Sequence, residues 1–105
     1  MVNTEDLARL GEQGYLVNTS RAEIVDRDAL KYALENKIIA GIATDVFEQE
    51  PTAANDWIVQ HPKVLATPHI GYCTHETFTV FYGQMLDAFK AYYEGSPIRV
   101  ISAGG

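Results

Sequence analysis

The chain has 105 residues and a mass of 11.6 kDa, room for one domain with a modest core. Hydrophobic residues make up 47% and charged residues 21%, a globular balance that argues against disorder. With 8 basic and 14 acidic residues the net charge is −6 and the pI about 4.8, which argues against a nucleic-acid binder and a polybasic membrane anchor, while the single cysteine, Cys73, excludes an internal disulfide and a Cys-rich zinc site.

The first expected element is a short helix over Asn3–Glu12. Asn3 or Thr4 caps it, Glu5 and Asp6 favour its dipole, and Leu7 and Leu10 form an apolar stripe that ends at Gly11 and Gly14. Tyr15-Leu16-Val17 then reads as a buried strand ending at Asn18-Thr19-Ser20. A loop runs from Arg21 to Val25. Asp26 caps a second helix over Arg27–Asn36, with Ala29, Leu30, Ala33 and Leu34 on one face. The nearly uncharged run Ile38–Val46 is a second strand. Residues Phe47 to Lys63 have no clean period and contain Pro51 and Pro62, so a long loop is expected there, with a helical turn at Asp56–Val59. Val64–Thr67 is a third strand, stopped by Pro68. A long amphipathic helix, His75–Glu94, carries Phe78, Phe81 or Tyr82, Met85, Phe89 and Tyr92 at spacings of three and four. Gly95 and Pro97 close it.

Strands alternating with helices predict an α/β fold, with about three parallel strands joined by right-handed crossovers. Such a sheet is small and leaves two unpaired edges. No apolar run reaches the ~18–20 residues of a membrane span and no signal peptide precedes the first polar segment, so a reducing compartment, the cytoplasm, is expected.

Ligands of open parallel sheets sit beyond the carboxyl ends of the strands. There the sequence places Asn18-Thr19-Ser20-Arg21, then Asp45 with Glu48 and Glu50, then Thr67-Pro68-His69. Arg21 offers a fork for a substrate carboxylate, and His69 trades a proton near neutral pH with a carboxylate to orient it. This is a set for moving a proton at a hydroxyl or carbonyl beside a carboxylate. Each residue also has a plainer reading: Arg21 as a surface ion-pair residue, Asp45 as a strand-end cap, Glu50 as a solvated loop residue with Glu48 in its place, His69 as a structural histidine. His61 and His75 are expected in a loop and at a helix start, Tyr72 in packing, and Cys73 as a buried inert thiol. His69, Glu50 and Asp45 match no trusted zinc spacing, so no metal is assigned.

Asn18-Thr19-Ser20-Arg21, Ile24-Val25-Asp26 with Ala29-Leu30, Ala40-Gly41 with Thr44-Asp45-Val46-Phe47-Glu48 and Glu50-Pro51, and Thr67-Pro68-His69-Ile70-Gly71 follow one another in an order that closely resembles the D-2-hydroxyacid dehydrogenases, from about Asn3 to Val100. The resemblance implies a partial Rossmann-like, doubly wound parallel sheet followed by the long C-terminal helix. It implies NAD or NADP as cofactor and a small 2-hydroxy or 2-keto acid as substrate. By the same resemblance Arg21, Glu50 and His69 are catalytic: Arg21 holds the substrate carboxylate, His69 is the acid/base, and Glu50 is its partner. Thr19, Ser20, Arg21, Asp45, His69 and Gly71 line the cofactor, Asp45 at its nicotinamide end. A homodimer, or self-association, is expected as well.

Two departures stand out. Ala22 occupies the place where the family has Gly after the arginine, a costly change only if φ there is positive. No G-x-G-x-x-G occurs, so residues 1–105 are expected to form one partial NAD(P)-binding domain without the glycine-rich half or the substrate domain. The isolated chain is then expected to bind NAD(P) weakly or not at all and to be inactive. A non-catalytic half-domain acting as an assembly or interaction module is the alternative, and a metal-dependent hydrolase on the same rim a third.

Overall fold

Asn3 opens the first helix by accepting hydrogen bonds from the Glu5 and Asp6 amides, while the Asp6 carboxylate answers the Asn3 amide. In the computed structural model, which describes residues 1–102, the elements follow in the order α1 (Thr4–Leu10), β1 (Tyr15–Asn18), a 3-10 turn (Ala22–Ile24), α2 (Arg27–Glu35), β2 (Gly41–Thr44), α3 (Trp57–Gln60), β3 (Val64–Ala66) and α4 (His75–Tyr93). They form two compact bodies, one of residues 1–71 and one from Tyr72 onward.

In the first body β1, β2 and β3 make one parallel sheet in that spatial order. The register sets Leu16 beside Ile42 and Ile42 beside Val64, so these three share one face. Against that face pack Leu7 of α1, Ala29, Leu30, Ala33 and Leu34 of α2, and Ile58 of α3. The other face carries Tyr15, Val17 and Leu65, which are 71%, 67% and 68% exposed. The expectation of a buried strand at Tyr15-Leu16-Val17 therefore holds for the Leu16 face only. Leu10, expected in a stripe with Leu7, is exposed, whereas Leu7 is fully buried.

Two stretches differ from expectation for local reasons. β2 starts at Gly41, not Ile38. The Ile38 amide closes the end of α2 on the Ala33 carbonyl, Lys37 turns the chain at φ 59°, and the Ala40 amide donates to Gly14. Gly41 itself is required: a Cβ there would lie 2.7 Å from the carbonyl oxygen of Lys63, the residue before β3. The stretch after Arg21 forms one 3-10 turn rather than open loop, and Ala22 has no positive φ, so alanine at that position is unstrained.

Asp26 caps α2 through the Ala29 amide at 2.8 Å. Asp26→Ala is expected to lower the stability of the first body by about 1 kcal/mol in a urea titration, with no change in slope.

The second body contains α4, a 19-residue helix capped by Thr74 on the Thr77 amide. None of its residues is buried, and Phe81, Met85, Phe89 and Tyr92 are exposed. Among the described residues no helix is long and apolar enough to cross a membrane.

Candidate functional site

Three strands end on one rim, and each contributes a polar residue whose bonds shape it. β1 ends at Asn18, a buried amide. Its Oδ1 accepts from the Ser20 amide at 3.1 Å and its Nδ2 donates to the Arg21 carbonyl at 2.9 Å. Asn18 thereby folds a tight turn that leaves Thr19, Ser20 and Arg21 exposed. Sequence reasoning gave Asn18 no role, although a buried-strand run ending in Asn is a turn signal. The Arg21 guanidinium donates to the Ser20 carbonyl at 2.6 Å.

Asp45 follows β2 and is only 4% exposed. Its Oδ1 accepts from the Thr67 hydroxyl and from the Ile70 amide at 3.0 Å, and its Oδ2 accepts from the Gly71 amide at 2.8 Å. The Thr67 hydroxyl first, then the two amides and the nearby His69, hold the Asp45 carboxyl below the usual carboxylate range against the opposing effect of burial. A Cβ on Gly71 would come within 3.1 Å of Asp45 Oδ2, so glycine is what lets this amide approach the carboxylate closely. Asp45 thus grips the turn after β3 from the end of β2.

His69 sits in the middle of that turn with φ 54°, in the left-handed region that few non-glycine residues adopt and in which Asn, Asp and His are the enriched types. Its Nδ1 lies 2.6 Å from Glu50 Oε2. A carboxylate only accepts, so Nδ1 carries the proton and proton exchange falls to Nε2. Glu50 Oε1 accepts from the Phe47 amide at 2.9 Å. The His69 hydrogen bond first, then that amide and the charges of His69 and Arg21, lower the Glu50 carboxyl below its ordinary range. Phe47, Glu50, Pro51, Val59, Pro68 and His69 line an open cavity of about 440 Å³.

The structure therefore joins Glu50 to His69, not Glu48, which pairs with Arg27 instead. It joins Asp45 to Gly71 and leaves Thr19, Ser20 and Arg21 exposed at the end of β1. His61 accepts from the Lys63 amide and packs edge-on against Trp57, and His75 opens α4, as a loop and a helix-start histidine would. Cys73, expected buried, is exposed, in the turn that leads into α4. Among the described residues no cluster of three His, Cys, Asp or Glu could hold a metal ion.

Thr19 and Ser20 present exposed side chains just beyond the end of β1. The helix N-termini among the described residues are poor seats for a pyrophosphate. Every α-helix among the described residues already carries a carboxylate at its cap or in its first turn: Glu5 and Asp6 on α1, Asp26 and Asp28 on α2, Asp56 on α3, Glu76 on α4. A carboxylate there occupies or repels the site that an anion needs.

The profile of the family described as D-isomer specific 2-hydroxyacid dehydrogenase, NAD binding domain, matches residues 1–71. The chain belongs to this family. Its members are oxidoreductases with a Rossmann-like α/β fold that bind NAD and act on small 2-hydroxy or keto acids. Glyoxylate/hydroxypyruvate reductase B of Enterobacter agglomerans is 42% identical over 88 residues, which are 84% of this chain and 26% of that protein. A formate dehydrogenase from Granulicella superposes with a TM-score of 0.82 at 32% identity, covering 99% of this chain and 29% of the other. The NADPH-dependent glyoxylate/hydroxypyruvate reductase of Sinorhizobium meliloti, solved with NADP and malonate, superposes with a TM-score of 0.72 at 33% identity, covering 93% and 32%. The chain spans about a quarter to a third of the length of these relatives.

Proposed function

We propose that this chain is the proton-transfer portion of an NAD(P)-dependent dehydrogenase that interconverts a D-2-hydroxy acid and its 2-keto acid. The observation that carries the reading is the 2.6 Å bond between His69 Nδ1 and Glu50 Oε2 on a rim that also bears Arg21. A bound NAD(P) supplies or accepts the hydride. Arg21 pairs with the substrate carboxylate through its planar fork and fixes the reacting carbon over the rim. His69 Nε2 gives a proton to the carbonyl oxygen during reduction and takes one from the hydroxyl during oxidation. Glu50 holds the ring in the Nδ1–H form and stabilises the imidazolium. Thr19, Ser20 and Gly71 border the cofactor, and Asp45 shapes its border by holding the turn that contains His69.

Residues 1–105 correspond on this reading to one partial nucleotide-binding domain, and the glycine-rich phosphate turn belongs to a separate segment. The absence of G-x-G-x-x-G and the acidic helix starts support that division. The cytoplasm is the proposed site of action, and a homodimer the proposed assembly. The exposed sheet face of Tyr15, Val17 and Leu65 supports a second reading, in which the chain serves as an assembly module.

Titration of the isotope-labelled chain by NMR separates these readings. Oxalate is expected to shift the Arg21 and His69 side-chain signals. NADH is expected to shift the Thr19, Ser20 and Gly71 amides with a millimolar dissociation constant, because the helix N-termini are poor seats for its phosphates. Micromolar NADH binding overturns the division of the domain. Oxalate that leaves Arg21 and His69 unmoved overturns the site and favours the assembly module.

A further inference from the structure

Arg27 is the first residue of α2, the end where the helix dipole disfavours a cation. What holds it there lies outside the helix. Its Nη2 donates to both oxygens of Asp56, at 2.8 and 2.9 Å, and its Nη1 lies 3.4 Å from Glu48 Oε2. The guanidinium carbon stands 5.4 Å from the Trp57 ring centroid, and Lys31 Nζ, one turn along α2, stands 5.9 Å from the same ring. Burial pushes the Asp56 carboxyl up, but the Ile58 amide and Arg27 outweigh it and leave it lowered, as a carboxylate in a real ion pair would be.

Glu48 and Asp56 stand on either side of Glu50 in the loop between β2 and α3. Within that loop the side-chain and turn bonds are short-range, Thr52 to the Gln49 carbonyl and the Asp56 amide to the Ala53 carbonyl. They shape the loop without directing it. Phe47 and Trp57 pack on the core at its two ends. The contacts of Arg27 run across the sequence and tie both arms of the loop to one point on α2.

We propose that Arg27 is a positioning residue that draws the Glu48 and Asp56 arms together and so delivers Glu50 to His69. The role rests on the acid/base reading of that pair. Arg27 acts through the loop: with the clamp closed, the Phe47 amide meets one oxygen of Glu50 and leaves the other for the imidazole. With the clamp open the loop samples arrangements in which Glu50 leaves the ring.

The test reads the His69 ring nitrogens of the full chain by long-range proton–nitrogen NMR. In the parent chain the neutral ring is expected as the Nδ1–H tautomer, the minor form of free imidazole. In Arg27→Met the Nδ1–H fraction is expected to fall about two-fold or more, and the Glu50 carboxyl to titrate closer to its ordinary range. His69 and Arg21, the charged groups that act on Glu50, are unchanged in the variant. Arg27→Lys, which keeps the charge, is expected to restore part of the Nδ1–H signal. Glu48→Gln opens one arm at an exposed pair and reports in the same direction even if Arg27→Met does not fold. A parent chain without the Nδ1–H signature overturns the acid/base reading and the positioning role with it. A signature present in the parent and unchanged in the folded variants overturns the positioning role alone.

Discussion

Leu34→Ala is expected to remove about 2–5 kcal/mol from the first body, the range for truncating a fully buried leucine. Leu34 is 2% exposed and lies in one cluster with Leu7, Ile39 and Ile42. At roughly 0.05–0.15 kcal/mol per residue, a body of this size has only about 4–10 kcal/mol to lose. One sheet face contributes little, because Tyr15, Val17 and Leu65 remain exposed. A urea titration followed by circular dichroism should show the midpoint falling by about a fifth or more, by that ratio of cost to reserve. Leu65→Ala, on the open face, should stay within about 0.5 kcal/mol of the parent. Equal effects at the two leucines would mean that the exposed face is covered in solution, and the assembly reading would gain at once.

That contrast shows what sequence reading can deliver here. Apolar runs mark burial, not hydrogen-bonded pairing. Ile38 and Ile39 look like strand, yet Ile39 is buried by packing while its neighbours turn the chain from α2 into β2. The four helices and three strands were legible because caps and periodicity are local signals. Which sheet face is covered is not local, and Tyr15 and Leu16 look alike on that score. In the site, Glu50 and His69 were legible only as part of a spaced pattern. They lie nineteen positions apart, with part of an irregular loop, α3 and β3 between them, and Glu48 fits the composition equally well. The clamp at Arg27 left one faint trace, a cation at the wrong end of a helix. The bonds of Asp45 left none, since a strand-end aspartate has the same sequence whether it faces a ligand or the next turn.

Asp45→Ala is therefore the site variant with the largest expected effect. It deletes the acceptor of the Thr67 hydroxyl and of the Ile70 and Gly71 amides in one step. Amide exchange at Ile70 and Gly71 should accelerate about ten- to a hundred-fold, the factor for losing a hydrogen bond to a charged acceptor. The core cluster contains none of these residues, so the urea midpoint should move far less than in Leu34→Ala. Asp45→Asn sharpens the assignment. Its oxygen can keep the Thr67 and Ile70 donors, but its NH2 then faces the Gly71 amide, two donors at a 2.8 Å contact. Gly71 alone should lose protection. The parent chain offers the same experiment through pH. The folded Asp45 carboxyl is lowered relative to the unfolded chain, so its contribution is present above the usual carboxylate range. It disappears as pH falls through the lowered folded value. Acid should thus loosen Ile70 and Gly71 as Asp45→Ala does at neutral pH, after correction for intrinsic exchange. Protection that persists in Asp45→Ala, or that rises on acidification, would mean that the turn carrying His69 is held by some other group, and the geometry of the acid/base pair would need a different origin.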